Sequence, residues 1–292
     1  MQLQITNLMK IYNGSITALH HVSCSMGTGI VGLIGPNAAG KTTFLKILAG
    51  LEEPTAGNVS FDGLELMQNK QFFRNIIGYL PQEFGFHKTM TGEAMLDYIA
   101  VLKGIHDKKR RQHLVAEAMD WVNLSDTRKT AIGEYSFGMK RRLGIAQALL
   151  GKPRILILDE PLEGLDPGES TRLGGIISEI AGQSLVIIST HSFSNLEFGY
   201  QRLLVLRQGY MLYQGSQAAL TALAEGLVWQ VEADFQQMEQ LKMNFKVVGA
   251  QHQDGHIVAR VLAEHKPCGE AMPVKARLEE GYLVLLNDEV QR

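Results

Sequence analysis

Gly35-Pro36-Asn37-Ala38-Ala39-Gly40-Lys41-Thr42 is the stretch of sequence that decides the fold. It fits the pattern G-x-x-x-x-G-K-[ST], in which glycines allow several backbone N–H groups to turn towards a triphosphate. Lys41 can place its charge on the outer phosphates, and the hydroxyl of Thr42 can ligate Mg²⁺. The stretch therefore predicts a phosphate-binding loop.

The segments on either side of the loop have the order that such a site requires. Before it, Ile30-Val31-Gly32-Leu33-Ile34 is typical of a buried strand. After it, apolar residues recur at helical spacing, at Phe44, Ile47, Leu48 and Leu51. The N-terminus of that helix adds positive potential at the anion. This order favours a phosphate site over a chance match in a glycine-rich turn.

Composition indicates a globular protein with one large and one smaller domain. The 292 residues are 45% apolar and 20% charged, and the net charge is −2. This charge balance gives no long cationic surface, so we expect no nucleic-acid partner. Cys24 and Cys268, the only two cysteines, lie far apart in the sequence, which suits a reducing compartment.

Hydropathy predicts a cytoplasmic protein. No stretch approaches the roughly 20 apolar residues that cross a bilayer. The first residues lack the basic and apolar regions of a signal peptide. We therefore expect any association with a membrane to come through a partner.

A second strand predicts the metal site. Ile155-Leu156-Ile157-Leu158 is an unbroken apolar run, typical of a central parallel strand. Asp159 and Glu160 follow it, at the end of the strand where open α/β sheets bind their ligands. Asp159 is suited to hold Mg²⁺ through water, and Glu160 to polarise the attacking water. The alternative of two surface acids is weaker, because a phosphate-binding loop needs a carboxylate to complete its metal site.

Two further polar residues follow apolar strands. His191 ends the run Leu185–Thr190, where a lone histidine is more often structural but can reach the terminal phosphate or the attacking water. Gln82 follows Gly78-Tyr79-Leu80-Pro81, and its amide can touch the metal and sense the nucleotide. Taken alone, each would be no more than a surface residue.

The order of these motifs over about residues 1–220 resembles the ATP-binding cassette (ABC) ATPases. The matching segments are the Walker A loop Gly35–Thr43, the Q-loop residue Gln82, the signature motif Tyr135–Lys140, the Walker B strand Ile155–Asp159, the catalytic glutamate Glu160, the D-loop Gly164–Asp166 and the switch histidine His191. Tyr12 resembles the aromatic residue that stacks on adenine, although it is also consistent with an ordinary strand-end tyrosine. The resemblance implies an ATPase with ATP and Mg²⁺ as cofactors.

The resemblance also implies a role for each matching residue. The catalytic residues would be Lys41, Gln82, Glu160 and His191, and the metal site would comprise Thr42, Gln82 and Asp159. The nucleotide would contact Tyr12, Gly35, Pro36, Asn37, Ala38, Ala39, Gly40, Lys41, Thr42, Thr43, Ser136, Gly138 and Asp166. In this arrangement two cassettes pack head to tail, and each ATP lies between the Walker A loop of one and the signature motif of the other. Because Lys41 and Ser136 lie on one chain, a homodimer satisfies it.

Phe137 departs from the family pattern, which has glycine at this position. If the backbone there needs a positive φ, phenylalanine is strained. Two outcomes are open: the ring points away and leaves the Ser136 hydroxyl and Gly138 amide in place, or the contact weakens and turnover slows. We favour the first outcome, because the other motif residues are retained.

The sequence predicts an α/β fold, a P-loop NTPase with a mixed central sheet. An antiparallel β subdomain and an inserted helical subdomain (about 83–138) would complete a cassette over residues 1–222. Residues 223–292 would form a small α+β extension. Through Pro273-Val274 and Leu278-Glu279-Glu280-Gly281-Tyr282 this extension resembles those of ATPases that serve type-2 ABC exporters. Its role is open among dimer contact, regulation and capping of the fold.

The leading hypothesis is the ATPase subunit of an ABC exporter, bound at the cytoplasmic face of the membrane to a separate multi-span permease. A soluble ABC ATPase of DNA repair or translation is the second, but such proteins usually carry two cassettes or long insertions. A non-catalytic regulatory module is the third, motivated by Phe137 and opposed by the presence of Glu160.

Overall fold

The computed structural model describes residues 1–191, 199–253 and 256–288. The chain divides into two compact units, Met1–Gln214 and Gly215–Arg292. Among the described residues, every helix is too short or too polar to span a bilayer.

The first unit contains an antiparallel sheet, a central sheet and a group of helices. In chain order its elements are β1 (Gln2–Tyr12), β2 (Ile16–Gly27), β3 (Gly29–Ile34), α1 (Lys41–Leu48), β4 (Ala56–Phe61), β5 (Leu64–Glu65), α2 (Lys70–Ile76), β6 (Ile77–Leu80), α3 (Gly92–Leu102), α4 (Lys108–Trp121), α5 (Phe137–Leu149), β7 (Ile155–Asp159), α6 (Pro167–Ala181), β8 (Leu185–Thr190), β9 (Arg202–Arg207) and β10 (Tyr210–Gly215).

The antiparallel sheet has the strand order β2-β1-β4-β5. Its long strands alternate, so that Leu3 and Ile5 of β1 are buried and pair with Met26 and Cys24 of β2. Alternation of this kind belongs to a sheet with one face on the core and one in water. The predicted antiparallel subdomain is confirmed.

The central sheet has six strands in the order β10-β9-β3-β8-β7-β6. The pairs β9–β3, β3–β8, β8–β7 and β7–β6 are parallel, and β10 turns back beside β9 through Gln208-Gly209, so the sheet is mixed as predicted. All residues of β3, β7 and β8 are buried, which is why these strands read as unbroken apolar runs. Parallel strands end at one edge of a sheet, so the segments that follow β3, β6, β7 and β8 meet there.

The helical region lies between β6 and β7. Helices α3, α4 and α5 pack against one another, and Thr91 and Asp107 cap the first two. Lys103, at the end of α3, donates hydrogen bonds to the last carbonyls of α5, at Gln147 (3.2 Å) and Leu150 (2.9 Å). Burial lowers the pKa of Lys103 to about 8. Because α5 runs on to Leu149, this region continues past residue 138 into the helix that packs on β6 and β7.

The described residues of the second unit form three helices and a four-stranded sheet with the order β12-β13-β11-β14. In chain order its elements are α7 (Gln217–Ala222), β11 (Val228–Ala233), α8 (Phe235–Asn244), β12 (Lys246–Gln253), β13 (His256–Leu262), β14 (Met272–Pro273) and α9 (Leu278–Asp288). The strand pairs β11–β13, β11–β14 and β12–β13 are antiparallel, and Asp234 and Gln237 form a capping box at the start of α8. The division falls after Gln214, not after residue 222. The physical reason is that α7 packs closely on α9. A Cβ on Gly281 of α9 would stand 2.0 Å from the carbonyl oxygen of Leu220 in α7.

A buried ion pair links the sheet of the second unit to α9. Glu280 is 1% exposed, and its carboxylate accepts from Arg260 Nε at 2.5 Å and from Nη2 at 3.0 Å. The backbone N–H of Arg277 donates to the same carboxylate. Both oxygens are therefore satisfied, and the pair stands between β13 and α9.

We expect Glu280→Ala to lower the free energy of unfolding of the second unit by about 3 kcal/mol, because it leaves the Arg260 guanidinium without its partner. Urea unfolding followed by Trp229 fluorescence in a Trp121→Phe background measures this. Glu239, whose pair with Lys242 is exposed, supplies the control: Glu239→Ala should change stability by no more than about 0.5 kcal/mol. Equal effects of the two substitutions would contradict the expectation.

Candidate functional site

The glycines of the loop between β3 and α1 are required by its backbone geometry. A Cβ on Gly35 would stand 2.2 Å from the carbonyl oxygen of Leu206, and one on Gly40 would stand 2.6 Å from that of Ala18. Gly40 also has φ 99°, in the region that favours glycine, and is the N-cap of α1. The loop therefore lies tightly between β2 and β9.

The turn between β9 and β10 holds the loop from outside. The N–H of Gly209 donates to the carbonyl of Ala39, and the N–H of His20 donates to the carbonyl of Gly209, both at 2.9 Å. These contacts join three segments that are distant in sequence.

Lys41, the first residue of α1, has a buried side chain that points back into the loop. It is 6% exposed, and its Nζ donates to the carbonyls of Gly35 (2.7 Å) and Pro36 (3.1 Å). Burial lowers the pKa of Lys41, and the negative charges of Glu160 and Asp159 oppose that shift. A cation is thus held beside the loop N–H groups by weak neutral partners, so an anion can compete for it.

Asp159, at the end of β7, has one oxygen that suits a cation. The carboxylate is 1% exposed, and Oδ1 accepts from the hydroxyl of Ser189. Oδ2 is buried and accepts no hydrogen bond from any described residue. Burial raises the pKa of Asp159, while the Ser189 and Thr42 hydroxyls and the charge of Lys41 counteract it. A buried carboxylate oxygen without a partner, next to a threonine hydroxyl, fits the oxygen ligands that Mg²⁺ prefers.

Glu160 is held in an unusual backbone conformation. Its φ is 51°, which is uncommon for a residue with a side chain, and its N–H donates to Ser189 Oγ at 2.9 Å. The side chain reaches His191, with Glu160 Oε2 2.9 Å from Nδ1. The structure thus brings Glu160 and His191 together at the ends of β7 and β8.

One cavity joins most of the predicted site residues. Its volume is about 610 Å³, and its lining includes the loop from Asn37 to Thr43, Gln82, Glu160, Gln208 and residues 16–18. Gln82 is exposed in the segment after β6. The edge of the central sheet therefore presents N–H groups, a lysine, a hydroxyl, an amide and a carboxylate to one space.

Tyr12 lies at the rim of the same region. Its hydroxyl is 3.5 Å from Thr43 Oγ1, and Lys10 Nζ lies 4.9 Å from its ring centroid. Tyr12 pairs across β1 and β2 with Ile16, an exposed apolar residue that lines the cavity. The pair offers an aromatic ring and an aliphatic side chain beside the loop.

The signature segment lies outside this cavity, with Ser136 and Phe137 exposed. Ser136 caps α5 by accepting from the N–H of Met139 at 3.2 Å, and Phe137 is the first residue of that helix. Phe137 is not among the residues with positive φ, so the strain considered above does not arise. Phe137 is 69% exposed, and its ring packs on Gly164. A Cβ on Gly164 would stand 2.1 Å from the ring. The Ser136 hydroxyl and the Gly138 backbone therefore remain at the exposed start of the helix.

Asp166 serves locally as the N-cap of α6. Its carboxylate accepts from the N–H of Glu169 at 2.9 Å, and Pro167 occupies the first helical position. Like Ser136 and Gly138, Asp166 does not line the cavity formed by the loop from Asn37 to Thr43.

Two residues of the site were missed from the sequence. Ser189 contacts both Asp159 and Glu160, and a polar residue inside the apolar run of β8 was the available signal. Arg141 is buried in α5 and donates to carbonyls of Gln82 and Glu160. Nothing in the sequence pattern marked Arg141 as a site residue, because a basic residue near a helix start is ordinarily exposed.

Known proteins resemble most of this chain. A family model described as ABC transporter matches residues 19–163. An uncharacterized ABC transporter ATP-binding protein of Bacillus subtilis, YxlF, is 37% identical over 214 residues, which cover 73% of this chain and 70% of the relative. The bacitracin transport ATP-binding protein BcrA of Bacillus licheniformis is 35% identical over 213 residues, covering 72% of this chain and 68% of BcrA.

A solved structure of the ATP-binding subunit of an ABC transporter has the same fold. It superposes with a TM-score of 0.70 and 25% identity, covering 76% of this chain and 92% of that one. Residues 19–163, which the family model matches, include the phosphate-binding loop and the strand that ends at Asp159. The chain therefore belongs to the ABC transporter family and carries the ATP-binding ATPase domain of that family.

Proposed function

We propose that this chain binds and hydrolyses ATP as the energy-coupling subunit of an ABC exporter whose membrane-spanning part is a separate permease. The observation that carries the proposal is the single cavity in which the P-loop, Gln82 and Glu160 meet. Phosphate binding, metal binding and activation of water need these groups within a few ångströms of one substrate.

ATP binding follows from the loop and its rim. The phosphates lie against the loop N–H groups and the start of α1, where the helix dipole favours negative charge. Lys41 turns from the carbonyls of Gly35 and Pro36 to the outer phosphates, a stronger, charge-assisted interaction. Adenine stacks on the ring of Tyr12, and Ile16 supplies apolar contact beside it.

The residues that would hold Mg²⁺ are Thr42 and Asp159, with Gln82 at the same cavity. The unpartnered Oδ2 of Asp159 supports this assignment. When bound, Mg²⁺ supplies neutralisation of phosphate charge during phosphoryl transfer. The site residues contribute a hydroxyl, a buried carboxylate and an amide, all oxygen ligands.

Hydrolysis depends on Glu160 and His191. The Glu160 carboxylate orients the attacking water and accepts its proton, as its place at the cavity allows. His191, 2.9 Å from Oε2, fixes the direction of that carboxylate and lies where it can reach the terminal phosphate. Lys41 stabilises the negative charge on the transferred group.

A head-to-tail pair of subunits completes the site. Ser136, Gly138 and Asp166 are surface groups outside the cavity of their own chain, and Ser136 begins a helix whose dipole favours an anion. In the pair they contact the nucleotide of the second subunit. A homodimer is the simplest assembly, because one chain carries both halves of the site. ATP then joins the two subunits, and loss of phosphate lets them separate.

Export through a permease is supported by the relatives. BcrA is named as a bacitracin transport ATP-binding protein, and YxlF is named as an ABC transporter ATP-binding protein. We place the chain at the cytoplasmic face of the membrane, held there by its permease, with no nucleic-acid partner.

Glu160→Gln should lower the rate of phosphate release by about 100-fold or more, because the group that accepts the proton is lost, while ATP binding is retained. In Mg·ATP this variant should run as a dimer in size-exclusion chromatography with light scattering. Lys41→Ala is the control and should neither bind nor dimerise. A wild-type rate no higher than that of Lys41→Ala would overturn the proposal.

Asp159→Asn should raise the Mg²⁺ concentration for half-maximal hydrolysis about tenfold or more, since the site loses a charged ligand. Binding of a fluorescent ATP analogue in EDTA should change by no more than about threefold, because the phosphate loop is untouched. An unchanged Mg²⁺ requirement would exclude Asp159 from the metal site.

Phe137→Ala should leave turnover within about threefold of wild type, because the ring packs on Gly164. The contact with the nucleotide of the second subunit comes instead from Ser136 and Gly138. Ser136→Ala should reduce turnover about 100-fold by removing a hydrogen-bond donor from the transition state. Melting temperatures of both variants separate this loss from that of the helix cap. A larger effect of Phe137→Ala would assign the contact to the ring.

A further inference from the structure

The guanidinium of Arg141 is a buried charge at the junction of three segments of the site. Arg141 lies in the first turns of α5 and is 4% exposed. Burial lowers its pKa, and the negative charges of Glu163, Asp159 and Glu160 oppose that shift. A buried charge is costly unless its surroundings compensate it, so the partners of this group indicate what it does.

Among the described residues, the hydrogen bonds that Arg141 donates go to main-chain carbonyls. Nη1 donates to Gln82 at 2.9 Å, Nη2 donates to Asp159 at 3.1 Å and also to Glu160, and Nε lies 3.5 Å from the carbonyl of Pro161. A guanidinium has five donors in a rigid fork and can serve several carbonyls at once. A lysine ammonium presents its donors from one point and cannot span the same set.

The contact with Gln82 belongs to a wider attachment of this segment to α5. The ring of Phe84 lies 5.6 Å from Arg141 Cζ and packs on Gly144, where a Cβ would stand 2.5 Å from it. Gln147 Nε2 donates to the carbonyl of Tyr79 at 2.6 Å. Residues 141, 144 and 147 are one helical strip, so the end of β6 and the residues after it are fastened along one face of α5.

The contact with Glu160 acts on a strained peptide. A residue with a side chain at φ 51° needs its surroundings to hold it there. The N–H of Glu160 is fixed by Ser189 Oγ, and its carbonyl is fixed by Arg141. The direction of the Glu160 carboxylate therefore depends on the position of α5.

We propose that Arg141 is a positioning residue for ATP hydrolysis: it fixes the backbones of Gln82 and Glu160 to the helix that begins beside Ser136. This inference rests on the proposed function. A neighbouring subunit that contacts the start of α5 would then affect, through this helix, where the Glu160 carboxylate and the Gln82 amide of the same chain lie. Arg141 touches no nucleotide itself and acts through these two residues.

The test measures ATPase kinetics and nucleotide binding in full-length Arg141→Met. We expect kcat to fall about 100-fold, the effect of a displacement of about 1 Å at a reacting group. KM for ATP and the Kd of a fluorescent ATP analogue should stay within about threefold of wild type, because the P-loop is not altered. A kcat within threefold of wild type, or a parallel loss of kcat and nucleotide binding, overturns the proposal.

Arg172→Met is the control, at an exposed arginine with the same kind of partners. Arg172 also donates to two main-chain carbonyls, at Trp121 (2.8 Å) and Asp120 (2.7 Å), and it also joins α6 to the helical region. It contacts neither Gln82 nor Glu160, so its kcat should stay within about threefold of wild type. An equal loss of kcat in Arg141→Met and Arg172→Met would mean that any arginine bonded to main-chain carbonyls affects turnover in this way. That result would overturn a specific role for Arg141.

Arg141→Lys keeps the charge and most of the side chain, so it tests the proposal if Arg141→Met does not fold. Because one ammonium cannot span the carbonyls, kcat should still fall about tenfold with KM unchanged. Wild-type kcat in Arg141→Lys overturns the proposal.

A double-mutant cycle with Glu160→Gln identifies the route of action. The quantity compared is the factor by which Arg141→Met lowers the single-turnover rate of hydrolysis. If Arg141 acts through Glu160, this factor should be at least about fivefold smaller in the Glu160→Gln background than in wild type. Equal factors in both backgrounds overturn the link to Glu160. Absence of hydrolysis in wild type would instead defeat the proposed function, so the two failures are distinguishable.

Discussion

The structure depends on keeping one ammonium and two carboxylates buried together at the edge of a parallel sheet. Lys41, Asp159 and Glu160 are all nearly inaccessible. Burial lowers the pKa of Lys41 and raises the pKa of Asp159, and each of these two charges opposes the shift of the other. Groups of this kind are costly to bury singly and are tolerated together. A cation is thereby kept beside the phosphate loop and a carboxylate oxygen beside a hydroxyl, before any ligand adds its own charge.

The backbone around this cluster is held from several directions. Glycine is needed in the loop because carbonyls of Leu206 and Ala18 come too close for a Cβ. The turn at Gly209 supports the loop, and Ser189 supports both carboxylate-bearing residues. Preorganisation of this kind lets catalytic groups act without rearrangement during the reaction. The cost is visible at Glu160, whose backbone conformation is sparsely populated.

The sequence analysis succeeded where chemistry is local. The P-loop, the strands that flank it and the strand ending at Asp159 were each predicted from a short stretch, and the α/β fold followed from their order. The boundary after residue 222 was placed differently by the structure, because α7 packs on α9, about sixty residues away in the sequence. Arg141 was missed for the same reason, since its partners lie in distant segments.

The sequence by itself determined which groups are available: a glycine loop, a lysine, an aspartate and glutamate after one strand, and a serine before a helix. These follow from residue types and short-range spacing, which a single chain carries without reference to its fold. Only the tertiary structure decided that Phe137 is unstrained, that Asp159 keeps one oxygen free of hydrogen bonds among the described residues, and that Arg141 joins Gln82 to Glu160. Each of these depends on contacts between segments far apart in sequence, and such contacts leave no local pattern.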